Sequence, residues 1–175
     1  MIDIPGGRQT YDFDCGAKAL QVVMAYYGVE VREDELLAEL RFDSDGISVE
    51  NMISVARKKG FEVVADCGVS LDTVKRYVDR NQPVIVLLQA WAERYMTMED
   101  WRQDNDDGHY AIVVGYDNYA IVFEDPASFR KTWMTEEEFL ARWHDVDPRT
   151  GDRLDHFAMV LFGKEPVKRV LEHMD

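Results

Sequence analysis

The chain has 175 residues and a mass of 20.3 kDa, one domain's worth, enough to bury about 70% of the surface its unfolded form exposes. Twenty Lys and Arg against 34 Asp and Glu leave a net charge of −14, which argues against nucleic acid or an anionic membrane as partner, because both are held by a basic face. No apolar run approaches the ~18 residues of a membrane-spanning helix, and the start, Met-Ile-Asp-Ile-Pro-Gly-Gly, lacks the apolar core of a signal peptide. A cytoplasmic location is therefore expected, and the two cysteines, Cys15 and Cys67, read as free thiols rather than a disulfide scaffold.

Residues 15–27 read as a helix, with Asp14 at its N-cap and Gly28 at its stop. Ala17, Ala19, Leu20, Val22, Val23 and Met24 make it apolar almost all round, the mark of a buried helix. A short helix is expected at 33–40, and a third at 49–59, capped by Ser48 and ended by Gly60. A strand at 61–65 leads to a fourth helix at 71–79, capped by Ser70. The texture then changes. The apolar run 84–89 after Pro83 predicts a buried strand, and 109–116 and 119–123 predict a hairpin turning at Asp117-Asn118. A strand at 130–133, a helix at 136–143 capped by Thr135, a strand at 157–162 and a helical tail after Gly163 complete the chain. Helices first and strands later is the α+β pattern, here a single domain over 1–175 with a helical layer on a mostly antiparallel sheet. Segments 91–108 and 144–156 show no regular pattern; such long irregular stretches are usually functional or disordered.

Asp-Cys-Gly occurs twice, at 14–16 and 66–68, so the sequence supplies its own control. Cys15 opens a buried helix, where unpaired N–H groups and the macrodipole favour a thiolate. Cys67 lies in a connection and reads as an inert small side chain. A nucleophilic thiol needs a base, an orienting group and an oxyanion donor. His144 and His156 flank a charged loop and His173 lies in the polar tail, so solvated surface positions are expected for all three. His109 opens an apolar strand, and the hairpin returns Asp125 towards it, where a carboxylate would fix the imidazole tautomer. The two are sixteen residues apart; across a two-residue turn at Asp117-Asn118 they would face opposite sides of the sheet. They can meet only if the loop has three or five residues or a bulge shifts the register. Gln9, upstream of Cys15, could donate to an oxyanion beside the Cys15 N–H.

The run Gln9-Thr10-Tyr11-Asp12-Phe13-Asp14-Cys15-Gly16-Ala17-Lys18-Ala19-Leu20, with Tyr26-Tyr27-Gly28, resembles the active-site segment of the double-glycine leader peptidases, papain-like cysteine peptidases usually fused to bacteriocin-exporting transporters. His109-Tyr110-Ala111-Ile112-Val113-Val114-Gly115-Tyr116, then Asp125-Pro126-Ala127, resembles that family's His strand and Asp-Pro-Ala turn. The resemblance covers residues 5–145 and implies a papain-like fold, Cys15 as nucleophile, His109 as general base, Asp125 as orienting carboxylate and Gln9 in the oxyanion hole. It implies a peptide or protein substrate; an amidase or acyl transferase on the same scaffold, or a peptide-binding module without turnover, are the alternatives. With no transporter module in the sequence, a stand-alone member is expected.

Segment 91–108 looks like an insertion relative to the family. Its Trp91, Tyr95, Met96, Met98 and Trp101 are costly to leave bare, so it is expected to pack over the cleft or a partner. A lid that binds substrate through Trp91, Tyr95 and Trp101 and a plain hydrophobic brace are equal expectations. Gly6-Gly7 invites self-trimming, although a flexible turn is the commoner use of paired glycines. The acidic runs 104–107 and 145–147 lack EF-hand spacing, no Cys/His grouping has zinc spacing, and no metal or cofactor is expected.

Overall fold

The computed structural model describes residues 1–41 and 46–168. The expected helices form as α1 (Cys15–Tyr26), α2 (Glu33–Leu40), α3 (Val49–Lys58) and α4 (Leu71–Asp79), and the strands before the hairpin as β1 (Glu62–Asp66) and β2 (Val84–Gln89). The Ser48 and Ser70 hydroxyls accept from the Asn51 and Thr73 N–H groups, satisfying helix-start donors. Segment 91–108 is not wholly irregular: it carries α5 (Met98–Gln103), opened by a capping box between Thr97 and Asp100. β3 (Gly108–Tyr116), β4 (Ala120–Glu124), β5 (Thr132–Thr135), α6 (Glu136–Arg142) and β6 (Ala158–Phe162) follow. Residues 164–168 are not helical, and the rest of the tail, with His173, lies outside the described residues.

The six strands form one sheet in the order β1-β6-β2-β3-β4-β5, every pairing antiparallel. All six residues of β2 are buried, as its unbroken apolar run requires. α1 packs against β3 and is flanked by α2 and α3. Leu20, Val23 and Met24 are fully buried, each contributing about 1.5–3 kcal/mol by removal from water. Among the described residues no helix is long and apolar enough to cross a membrane.

The hairpin turns one residue later than expected. Tyr116 pairs with Ile121, and the Asp117 N–H donates to the Ala120 carbonyl at 3.0 Å. That register alone would still put His109 and Asp125 on opposite faces. Between Gly115↔Val122 and Val113↔Phe123, however, Val114 is an extra residue, and the register beyond it shifts by one. With Ile112 opposite Glu124, His109 and Asp125 share a face. The bulge is held by the start of the chain. The Ile2 N–H donates to the Val114 carbonyl at 2.6 Å, Met1 lies against Gly115, and Ile2 and Ile4 are buried.

Ile4→Ala should therefore cost about 2–4 kcal/mol, the usual range for emptying a buried Ile site. Urea unfolding measures it, and a loss under about 0.5 kcal/mol would mean the first residues do not belong to the core.

Candidate active site

Cys15 is the first residue of α1 and is partly exposed. Asp14 occupies the N-cap position but makes no capping bond. Its buried carboxylate turns back to accept from the Thr10 N–H at 3.1 Å, and burial raises its pKa against the lowering effect of the Thr10 and Tyr11 N–H groups. The N–H groups of the first turn are thus left uncapped by Asp14 beside the thiol. Gly16 must lack a side chain, because a Cβ there would meet the Tyr110 ring at 3.0 Å.

His109 is buried, and its Nε2–H donates to Asp125 Oδ1 at 2.8 Å. Asp125 is held in turn by the Ala127 N–H on Oδ1 at 2.9 Å and by the Thr132 hydroxyl on Oδ2 at 3.0 Å. The Cys15 thiol is close enough to act on the same imidazole. Burial alone would lower the His109 pKa, but Asp125 and Cys15 outweigh it and push it up to about 9. Burial likewise opposes ionisation of Asp125, yet the His109 bond holds its carboxyl below the usual range. Cys67 shows the contrast. Partial burial, then the carboxylates of Asp155 and Asp66, push its thiol up.

The chain start brings Gln9 to this site. The Gln9 N–H donates to the Pro126 carbonyl at 2.9 Å and the Arg8 guanidinium to the Ala127 carbonyl at 2.6 Å, tying the loop before Cys15 to the Asp125 turn. The Gln9 amide nitrogen donates to the carbonyls of Tyr11 at 2.9 Å and Asp12 at 3.3 Å, while its oxygen is buried without a partner. Gly6 and Gly7 do not line the Cys15 cleft. A Cβ on Gly7 would come within 2.4 Å of Val22, so Gly7 is closely packed, while Gly6 is exposed.

A cleft of about 260 Å³ opens beside Cys15. Phe13, Ile47, Tyr110, Asn105, Asp106, Asp145 and Asp147 are among the residues that line it. Trp91, Tyr95 and Trp101 do not line it. Trp91 and Tyr95 are exposed, Tyr95 in a depression that shares Asn105 and Asp106 with the cleft, and the Trp101 ring lies under the Arg142 guanidinium at 3.8 Å as α5 packs on α6. Trp101 therefore serves as a brace, and the end of that segment reaches the cleft. The loop after α6, unstructured in expectation, supplies part of the lining through a turn closed by Asp147. His144 is buried, not solvated: its Nε2 bonds to the Trp101 carbonyl at 3.0 Å. His156 stacks on Trp143 with ring centroids 4.7 Å apart. No group of three or more His, Cys, Asp or Glu among the described residues could hold a metal ion.

A thiol-bearing helix set against an antiparallel sheet, with an imidazole–carboxylate pair on the adjoining hairpin, defines the papain-like cysteine peptidases. The family model for the peptidase C39 family matches residues 4–146. The chain belongs to that family. The lactococcin-A transport/processing ATP-binding protein LcnC of Lactococcus lactis is 24% identical over 140 residues, 79% of this chain, and the chain spans only 17% of that relative's length. Among solved structures, a double-glycine-motif protease from an AMS/PCAT transporter, in complex with its leader peptide, has a TM-score of 0.65 and 20% identity over 91% of each chain. The peptidase domain of Streptococcus ComA has a TM-score of 0.64 and 25% identity over 89% of this chain and 95% of its own. A Bacillus anthracis chain assigned as a C39-like peptidase has a TM-score of 0.66 and 17% identity, covering 93% and 96%.

The raised His109 pKa has a definite sign for stability. The folded value, about 9, exceeds the ordinary 6.5, so the stabilisation is complete below about pH 6.5 and is lost as pH rises through about 9. Wild-type protein should lose stability to urea across that window. His109→Ala should show a flatter profile, and equal slopes for the two proteins would remove the ion-pair account.

Proposed function

We propose that the chain hydrolyses a peptide bond through Cys15 as nucleophile, His109 as acid and base, Asp125 as orienting carboxylate, and Gln9 with the Cys15 N–H as oxyanion donors. The observation that carries this reading is the buried His109 imidazole, bonded to Asp125 at 2.8 Å, with the thiol at the start of α1 acting on the same ring. A His109 pKa near 9 favours an imidazolium at neutral pH. The thiolate attacks the peptide carbonyl, and the carbonyl oxygen takes the negative charge. The imidazolium then gives its proton to the leaving amine and an acyl-enzyme remains. Water, deprotonated by the now neutral His109, attacks the thioester and releases the acid and the thiol. Gln9 would join the oxyanion by giving up its longer bond, the 3.3 Å one to Asp12.

The substrate class we propose is a peptide with a double-glycine leader. Its support is the family, the leader peptide bound to one structural neighbour and the processing role in the name of LcnC. The cleft carries Asp12, Asp106, Asp145 and Asp147 against Arg149, which favours a neutral or basic chain next to the reacting bond. Two free thiols fit a reducing, cytoplasmic compartment.

Alkylation of Cys15 followed against pH tests the chemistry. Cys15 should react rapidly at mildly acidic pH, Cys67 should not, and His109→Ala should abolish the difference. Equal rates for the two cysteines would end the catalytic reading. Hydrolysis of double-glycine peptides should fall about 10³-fold or more in His109→Ala and about 10²–10³-fold in Gln9→Ala, mostly in kcat. Turnover of simple amides but of no peptide in the panel would replace the peptidase reading with an amidase.

A further inference from the structure

Gln89, the last residue of β2, is fully buried and has no place in the chemistry described above. Every polar atom of its side chain is engaged. Its Nε2 donates to the His144 carbonyl at 3.0 Å and to Asp145 Oδ1 at 3.0 Å, while its Oε1 accepts from the Asp107 N–H at 3.0 Å. Its own carbonyl accepts from Arg142 Nε at 2.8 Å, and its strand partner is Gly108, beside His109. These contacts belong to two different stretches of the cleft rim. One is 105–108, which leads into the His109 strand, and the other is 145–149, which leaves α6. The two rims are also in direct contact, since a Cβ on Gly108 would fall 2.4 Å from Asp145 Oδ2.

We infer that Gln89 is a positioning residue that sets the width of the substrate cleft by fastening both rims to the end of β2. The inference rests on the reading of the Cys15 cleft as the peptide site. A primary amide suits this position because it offers two donors and an acceptor in one plane. One hydrogen goes to the backbone of the 144–147 loop and one to its carboxylate, while the oxygen fixes the backbone of the adjoining stretch that leads into β3. A carboxylate in its place keeps the bond to the Asp107 N–H and turns both donors into acceptors, facing the His144 carbonyl and Asp145. The rims would then part without a change in Cys15, His109 or Asp125, so binding should suffer and bond breaking should not.

Gln89→Glu, Asp145→Asn and the pair together form the test, read by peptide hydrolysis, by alkylation of Cys15 with iodoacetamide and by thermal unfolding. In Gln89→Glu, KM should rise about tenfold while kcat stays within about threefold. Its alkylation rate and pH profile, which need no peptide cleft, should match wild type. Adding Asp145→Asn restores a donor–acceptor pair with its polarity reversed, so the double variant should recover most of the KM that Gln89→Glu loses, beyond what additivity gives. Gln89→Met, which keeps the volume without polar atoms, should also raise KM. An unchanged KM in a folded Gln89→Glu variant overturns the inference, as does a KM loss the second substitution does not relieve. A fall in kcat together with slower alkylation does so too, by moving the effect to the chemistry. If neither Gln89→Glu nor Gln89→Met folds at assay temperature, Gln89 belongs to folding and not to cleft width. Wild-type protein that alkylates normally but cleaves no peptide would remove the underlying reading, an outcome distinct from all of these.

Discussion

A one-residue bulge in β3 governs the site. His109 and Asp125 lie on strands joined by a tight turn, and the turn's own register would place them on opposite faces of the sheet. Val114 changes the parity, and the 2.8 Å bond between imidazole and carboxylate exists only because it does. A bulge leaves backbone groups without ladder partners, which is costly inside a core. Here the Val114 carbonyl is satisfied by the Ile2 N–H, and the same first residues run on through Gly7 to Gln9. The segment that supports the bulge therefore also delivers the proposed oxyanion side chain to the turn at Pro126.

The electrostatics of the site follow from what is left unpaired as much as from what is paired. Asp14 at the N-cap position would ordinarily quench the first-turn N–H groups of α1; turned back towards Thr10, it leaves them uncapped at the residue that carries the thiol. Burial raises its carboxyl pKa, against the lowering effect of the Thr10 and Tyr11 N–H groups. Asp125 has the opposite fate. Two further donors, the Ala127 N–H and the Thr132 hydroxyl, hold it in line, so its charge is available to His109 at low desolvation cost.

Much of this was legible in residue order. Ser48, Ser70 and Thr135 mark helix starts through hydroxyl caps that the structure forms, and the apolar run of β2 marks a buried strand with its ends in place. Local signals stop where a contact is made by distant chain. Nothing about Val114 announces a bulge, because its cause is Ile2, more than a hundred residues away. His144 sits among charged residues and reads as solvated, yet the Trp101 carbonyl and α5 cover it. α5 did carry a local signal, the Thr97–Asp100 capping box, but six helical residues are too few to show a period. Without that helix, the aromatic residues around it looked like a substrate surface, when Trp101 serves to seat α5 on α6.

The two Asp-Cys-Gly tripeptides show how little of a thiol's reactivity is local. At 14–16 the cysteine begins a buried helix, the aspartate turns away, and the glycine lets the Tyr110 ring approach. At 66–68 the same three residues end a strand; the glycine takes φ 70° to turn the chain, and the carboxylates of Asp155 and Asp66 lie near enough to oppose ionisation. One thiol has a buried imidazole for a neighbour and the other has burial and carboxylates that raise its pKa. The net charge of −14 makes the second environment the default on this surface. A thiolate in so acidic a protein has to be supported locally, and the hairpin bulge puts His109 where it can provide that support.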